Sequence, residues 1–208
     1  MARRTKADAQ ATRNSLLDAA EHLFQERGVS RTSLNDIAVA AGTTRGAIYW
    51  HFKDKADLFN AMMERVTLPM EQSLQRVSVG AAGGDPVAEL REALLEALRV
   101  TATDEQARRV FDIAIQKVEY VDELTAVKQR RLQCRCETLT RIAQALELAV
   151  TQRDRPLPVP LRAATMGLMS LLEGLLQNWL LAPQAFDLVE VGGQALDTYL
   201  AGLGLRER

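Results

Sequence analysis

Apolar residues recur along this chain at spacings of three and four, the period of a helix that buries one face. The first run, about 12–27, carries Leu16, Leu17, Ala20, Leu23 and Phe24, and Gly28 supplies a stop. Ser33 opens a short helix over about 34–41, with Asp36 placed to complete a capping box and Leu34, Ile37, Ala38 and Ala41 as the buried face. Gly42 ends that helix. Thr44 caps another over about 45–52, and Asp54 caps a fourth over about 55–79, with Asp57 in its first turn. Pro69 lies inside the fourth pattern, where it removes a hydrogen bond and bends the helix, as a hinge or as a tolerated kink. Asp85-Pro86 opens a helix over about 86–101, and Asp104 one over about 105–119. The longest run covers about 122–152. A stiff connector, RDRPLPVP (153–160), precedes helices over about 161–181 and 188–202; Asp187 caps the last, with Glu190 completing a box. No stretch reads as a convincing strand, so the pattern predicts an all-α chain of nine helices. The expected division is 9–69 and 70–208, with GAAGGD (80–85) as the flexible linker.

Charge adds an asymmetry to this picture. Residues 1–55 hold nine Lys/Arg against six Asp/Glu, a balance of +3, whereas 56–208 carry −4. A basic head on an acidic body suits a nucleic-acid binder with a second role. Apolar residues are 47% of the chain and aromatics only 5%, so the core is mostly aliphatic. Cys134 and Cys136 sit about 200° apart on a helix of 100° per residue, so they neither pair nor chelate together. Cys136 falls on the stripe Leu132, Cys136, Leu139, Ala143, Leu146, Val150 and reads as a small core residue. The N-terminus, MARRTKADAQATR, lacks the apolar core of a signal peptide. The most apolar stretch, 163–181, contains Glu173, Gln177 and Asn178 and reads as a buried helix rather than a membrane span. A cytoplasmic protein without a membrane partner is expected. There is no Ser/His/Asp or Cys/His set on plausible elements, no glycine-rich phosphate loop and no metal-ligand spacing. Neither an enzyme nor a cofactor is therefore expected.

The second and third helices, joined by Gly42-Thr43-Thr44, form a helix-turn-helix. At 100° per residue, Ile48 and Phe52 point inward, Gly46, Trp50 and Lys53 point away, and Arg45 and Tyr49 flank them. Gly costs about 1 kcal/mol relative to Ala inside a helix, so an outward Gly46 beside large aromatics suits a face that must enter a groove closely. Arg45, at the helix start, matches guanine O6 and N7 with two parallel donors. The hydroxyls of Thr43, Thr44 and Tyr49 and the ring of His51 suit phosphate oxygens, as does Lys55 at the start of the fourth helix. Arg3, Arg4 and Lys6 are placed to follow the backbone or reach a minor groove. Alternatively, Tyr49 and Trp50 cap a small three-helix core.

The stretch RTSLNDIAVAAGTTRGAIYWHFKDKADLF (31–59), after a helix ending LFQERGVS, resembles the DNA-binding head of TetR-type transcriptional regulators. GDPVAELREALLEAL (84–98), QKVEYVDEL (116–124) and GLLQNWLLAPQAFDL (174–188) extend the likeness to AcrR-like repressors of multidrug efflux pumps. The resemblance implies an all-helical homodimer that binds double-stranded operator DNA through its head and hydrophobic or cationic small molecules through its body. It places DNA contacts at Ser33, Asn35, Thr44, Arg45, Gly46, Tyr49, Trp50, His51 and Lys55. Where family members carry a basic residue early in the second helix, this chain has Asn35. A regulator of a non-efflux operon, or a helical interaction module without DNA binding, are the competing functions.

In the body, Glu173 and Gln177 share a face with Met166, Met169 and Ser170 on an otherwise apolar helix. A carboxylate there needs a partner: an internal Arg such as Arg131, a group across a dimer interface, or a cationic ligand. Phe111, Ile115 and Glu119 share a face of another helix. Such stripes are more often core than pocket; the resemblance implies a pocket, with Phe111 and Ile115 replacing more polar family positions. Leu188, Val191, Gly192, Ala195 and Tyr199 align on the last helix, where Gly192-Gly193 suits close approach of another helix. With Leu175, Trp179 and Leu180 they form a candidate four-helix dimer interface.

Overall fold

The computed structural model describes residues 6–77, 84–119 and 121–205. Arg3, Arg4 and most of the GAAGGD segment lie outside them. Among the described residues there are nine α-helices, one 3-10 turn and no strand. The helices are α1 (Lys6–Arg27), α2 (Leu34–Ala40), α3 (Arg45–His51), α4 (Lys55–Val77), α5 (Pro86–Thr103), α6 (Glu105–Gln116), α7 (Thr125–Arg153), α8 (Leu161–Leu181) and α9 (Leu188–Gly202). The 3-10 turn, Asp122–Leu124, precedes α7.

Local chemistry explains most boundaries. Ser33 and Asp36 close a capping box at α2, and the Thr44 hydroxyl accepts from the Ala47 N–H at α3. The carboxylates of Asp54, Asp85, Asp104 and Asp187 accept from backbone N–H groups in the first turns of α4, α5, α6 and α9. Each such cap contributes about 1 kcal/mol. Glu190 does not complete a box at α9; its carboxylate accepts from Gln194 instead. Gly42, at φ +64°, ends α2 in a left-handed turn. Its N–H donates to Val39 O while the Thr43 N–H donates to Ala38 O, a paired arrangement that turns the chain into α3.

The chain divides into two compact units. The first comprises residues 1–66 together with 109–132, and the second 67–108 together with 133–208. One division thus falls inside α4, between Val66 and Thr67, less than a turn before Pro69.

In the first unit, Leu16, Leu17, Ala20 and Phe24 of α1, Ile37 of α2, Ile48 of α3, Phe52 just after it, and Leu58 and Met62 of α4 are fully buried. The rings of Phe24 and Phe59 meet at 6.1 Å. Val110, Ile113 and Leu124, from the later stretch, are as deeply buried. Each large apolar side chain so buried contributes about 1.5–3 kcal/mol.

In the second unit α9 packs on both α5 and α8. Gly192 and Gly193 face α5: a Cβ at Gly192 would collide with the Leu98 side chain, and one at Gly193 would sit against Leu95 and Arg91. Arg91 donates to both carboxylate oxygens of Asp197, at 2.5 and 3.1 Å, which fixes the α5–α9 register. Gly167 of α8 leaves room for the Tyr199 ring, whose hydroxyl donates to Ala164 O at 2.9 Å. The close approach expected at Gly192 is therefore made by α5 of the same chain. Cys136 corrects another expectation. It is exposed, and the buried face of this part of α7 runs through Ile142, Ala145, Leu146 and Ala149.

Candidate functional site

Thr44 (φ −95°, ψ 156°) begins α3 in an extended conformation, and its capped first turn leaves only seven residues to the helix. Ile48 and Phe52 anchor it from within, and the opposite side is bare. Trp50 is 74% exposed and Tyr49 49%, while Arg45 and Gly46 are open to solvent. The Arg45 guanidinium lies 5.7 Å from the centre of the Tyr49 ring, one turn on, and the Trp50 and His51 rings are perpendicular with centroids 4.6 Å apart. A Cβ on Gly46 would meet nothing closer than the Thr44 hydroxyl at 3.9 Å. A side chain at this position would thus meet no close neighbour among the described residues. The arrangement presents a cation over an aromatic ring, a second exposed aromatic surface and an open strip of backbone. This is chemistry suited to base edges and phosphates rather than to proton transfer or covalent attack.

The remaining DNA candidates divide. Asn35 is exposed on α2, and Thr43 is half-buried in the turn. Ser33 is committed to its cap: its hydroxyl donates to Asp36 at 2.6 Å and accepts from the Asp36 N–H. Those bonds from Ser33 hold the Asp36 carboxyl below its ordinary pKa. Lys55 corrects an expectation outright. Its side chain is only 6% exposed, and its ammonium donates to Ser30 O at 3.3 Å and Thr32 O at 3.1 Å and pairs with Glu123 at 3.1 Å. Three acceptors use its three N–H bonds, leaving none for a phosphate. Arg13, not anticipated, lies 5.1 Å from the Phe52 ring centre and covers the end of α3.

The ligand candidates fall in both units. Phe111 and Ile115 are half-buried on α6. Glu119 does not continue their face, because α6 ends at Gln116; it lines instead a groove of about 240 Å³ with Gly28, Ser30, Arg31 and Lys117. Arg131 donates to Ala114 O at 3.2 Å. In the second unit, Met169 is buried, while Met166, Ser170 and Gln177 are exposed along α8. Glu173 pairs within the chain with Arg135 of α7, one turn beyond Arg131. Of the dimer candidates, Trp179, Leu180, Leu188 and Gly192 are buried within the chain, and Leu175, Ala195 and Tyr199 are half-buried. Val191 is exposed, as is Leu181, which periodicity did not single out. No group of metal-ligating side chains occurs among the described residues, and no helix there is long and apolar enough to cross a membrane.

With this geometry in place, the match to known families is specific. Residues 16–62 fit the model for bacterial regulatory proteins of the tetR family, and residues 85–204 that for the C-terminal region of MAATS-type transcriptional repressors. The chain belongs to the tetR family. Among relatives of this tetR-family chain, the transcriptional regulator AcrR of Shigella flexneri is 43% identical over 188 residues, 90% of this chain and 87% of that one. The regulator TtgR of Pseudomonas putida is 36% identical over 205 residues, 99% and 97% of the two chains. The crystal structure of NalD, the secondary repressor of the MexAB-OprM multidrug efflux pump in Pseudomonas aeruginosa, superposes with a TM-score of 0.85 at 37% identity, covering 95% of this chain and 98% of NalD. A complex of SmeT with triclosan gives a TM-score of 0.82 at 34% identity, covering 92% of this chain and 91% of SmeT.

Proposed function

We propose that this tetR-family chain is a homodimeric repressor of a multidrug efflux operon, released from its operator when a hydrophobic small molecule enters the body. The observation that carries this reading is the outward face of α3, where Arg45, Gly46, Tyr49 and Trp50 stand free around a buried Ile48–Phe52 anchor. Arg45 reads a guanine, and Thr43, Thr44, Tyr49 and His51 hold phosphates, with Asn35 reaching from α2. The head spans about 9–69 and the body 70–208. The protein acts by binding rather than by catalysis, in the cytoplasm where its DNA lies.

Two half-sites about 34 Å apart need two linked copies of α3. The exposed apolar side chains of α8 and α9, Met166, Leu181 and Val191, support a helical interface between copies. Release requires the ligand to favour a state whose recognition helices are mis-spaced, since equal affinity for both states shifts nothing. The efflux assignment rests on what NalD represses and on the triclosan bound by SmeT. The test is a mobility shift on the DNA upstream of this protein's own reading frame, with and without triclosan. A shifted band that triclosan dissolves supports the proposal. An equally tight band on random DNA refutes operator recognition.

A further inference from the structure

Among the described residues only two charged side chains are buried, Glu21 and Lys55, and both belong to the head. Each finds an ion-pair partner in the distant stretch 109–132. Glu21 of α1, 1% exposed, lies 3.5 Å from Arg65 of α4 and 3.7 Å from Arg109 of α6. Lys55, the first residue of α4, lies 3.1 Å from Glu123 in the 3-10 turn. A third tie is a backbone bond from the Val29 N–H to Lys117 O at 3.2 Å.

The placement of Lys55 gives these ties a consequence for DNA reading. Its ammonium also binds the carbonyls of Ser30 and Thr32, just before the Ser33 cap of α2, while its own backbone follows the end of α3 by four residues. One cation therefore joins the entry of α2 to the exit of α3. Glu123 is itself 59% exposed, so the pair is buried on the lysine side only; removing the carboxylate still leaves a buried ammonium short of its one charged acceptor, which is unfavourable.

We propose that Glu123 and Arg109 are positioning residues for operator binding: by neutralising Lys55 and Glu21 they hold α2 and α3 in their reading geometry. The stretch 109–132 is then a working part of the DNA-binding head. This inference rests on the operator-binding function proposed above.

Simple electrostatics and positioning predict opposite signs. Removing a negative charge from a protein that binds DNA strengthens binding when only the long-range field matters. Glu123→Gln in the full-length chain is expected instead to weaken operator affinity about tenfold, the scale of one charged hydrogen bond, and Glu123→Asp to recover most of it. Lys55→Met is expected to weaken binding with no change in the slope of log affinity against log salt. A direct phosphate contact would lower that slope by about 1. The double variant is expected to be no worse than Lys55→Met alone. Tighter binding by Glu123→Gln, or a reduced slope for Lys55→Met, overturns the proposal.

Amide hydrogen exchange on the full-length chain reads the same ties without DNA. Glu123→Gln and Arg109→Gln should speed exchange across residues 28–38 about tenfold, with the helical circular dichroism retained. Unchanged exchange overturns the proposal, whereas a wild-type chain that ignores the upstream DNA counts only against the operator assignment.

Discussion

Arg45 is the side chain on which sequence selectivity is expected to turn. It sits in the first turn of α3, faces solvent and is steadied by the Tyr49 ring. Truncation in Arg45→Ala should cost about 1–3 kcal/mol on the operator and relax preference at one base pair. Competition binding against a panel of single-position operator variants measures both effects. Equal losses on operator and random DNA would show that Arg45 contributes charge alone. Lys55, by contrast, shows how residue type misleads when the environment is unknown. A lysine at a helix start beside a helix-turn-helix suggests a phosphate ligand, yet it is turned inward to two carbonyls and a carboxylate.

At the scale of single helices, α8 and α9 fit closely. Gly167 faces the rigid ring of Tyr199, whose hydroxyl is tied to Ala164 O, so an added methyl group has nowhere to go. Gly167→Ala is expected to destabilise the chain by about 1–3 kcal/mol despite its better helix propensity. Urea denaturation reads this as a lower midpoint at unchanged slope; a midpoint at or above the wild-type value would contradict the packing described. Helix positions were largely legible in the sequence because caps are local: Ser33, Thr44, Asp85 and Asp187 act within three residues of where they stand. The start of α1 was not. Lys6–Ala11 join the helix without any apolar periodicity, on helix-forming residues alone. Partners across helices were also hidden. Periodicity identifies the face on which Glu173 or Gly192 lies, but not that Arg135 or Leu98 stands opposite. Glu21 was visible as a charge among Leu17, Ala20 and Phe24, and that local conflict was the available signal.

For the molecule as a whole, the proposed function calls for two copies on one operator, and the exposed candidate surface keeps Val191 from the periodicity-based set and adds Leu181. Buried Trp179, Leu180 and Leu188 build the interior of the second unit, whereas Leu181 is 73% exposed and Val191 37%. Leu181→Glu combined with Val191→Glu is expected to yield monomers by sedimentation velocity. Their operator affinity should fall at least about a hundredfold, because the two half-sites no longer cooperate. A pair of substitutions that leaves the dimer intact would place the interface elsewhere.

The first compact unit, finally, is assembled from two separate stretches of chain, and this bears on engineering. A chimera spliced within α4 would carry residues 1–66 to a new sensor while leaving behind Arg109 and Glu123, the counterions its interior was built around. Retargeting by grafting should therefore move only the exposed faces of α2 and α3 and leave Glu21, Lys55 and their distant companions with the recipient.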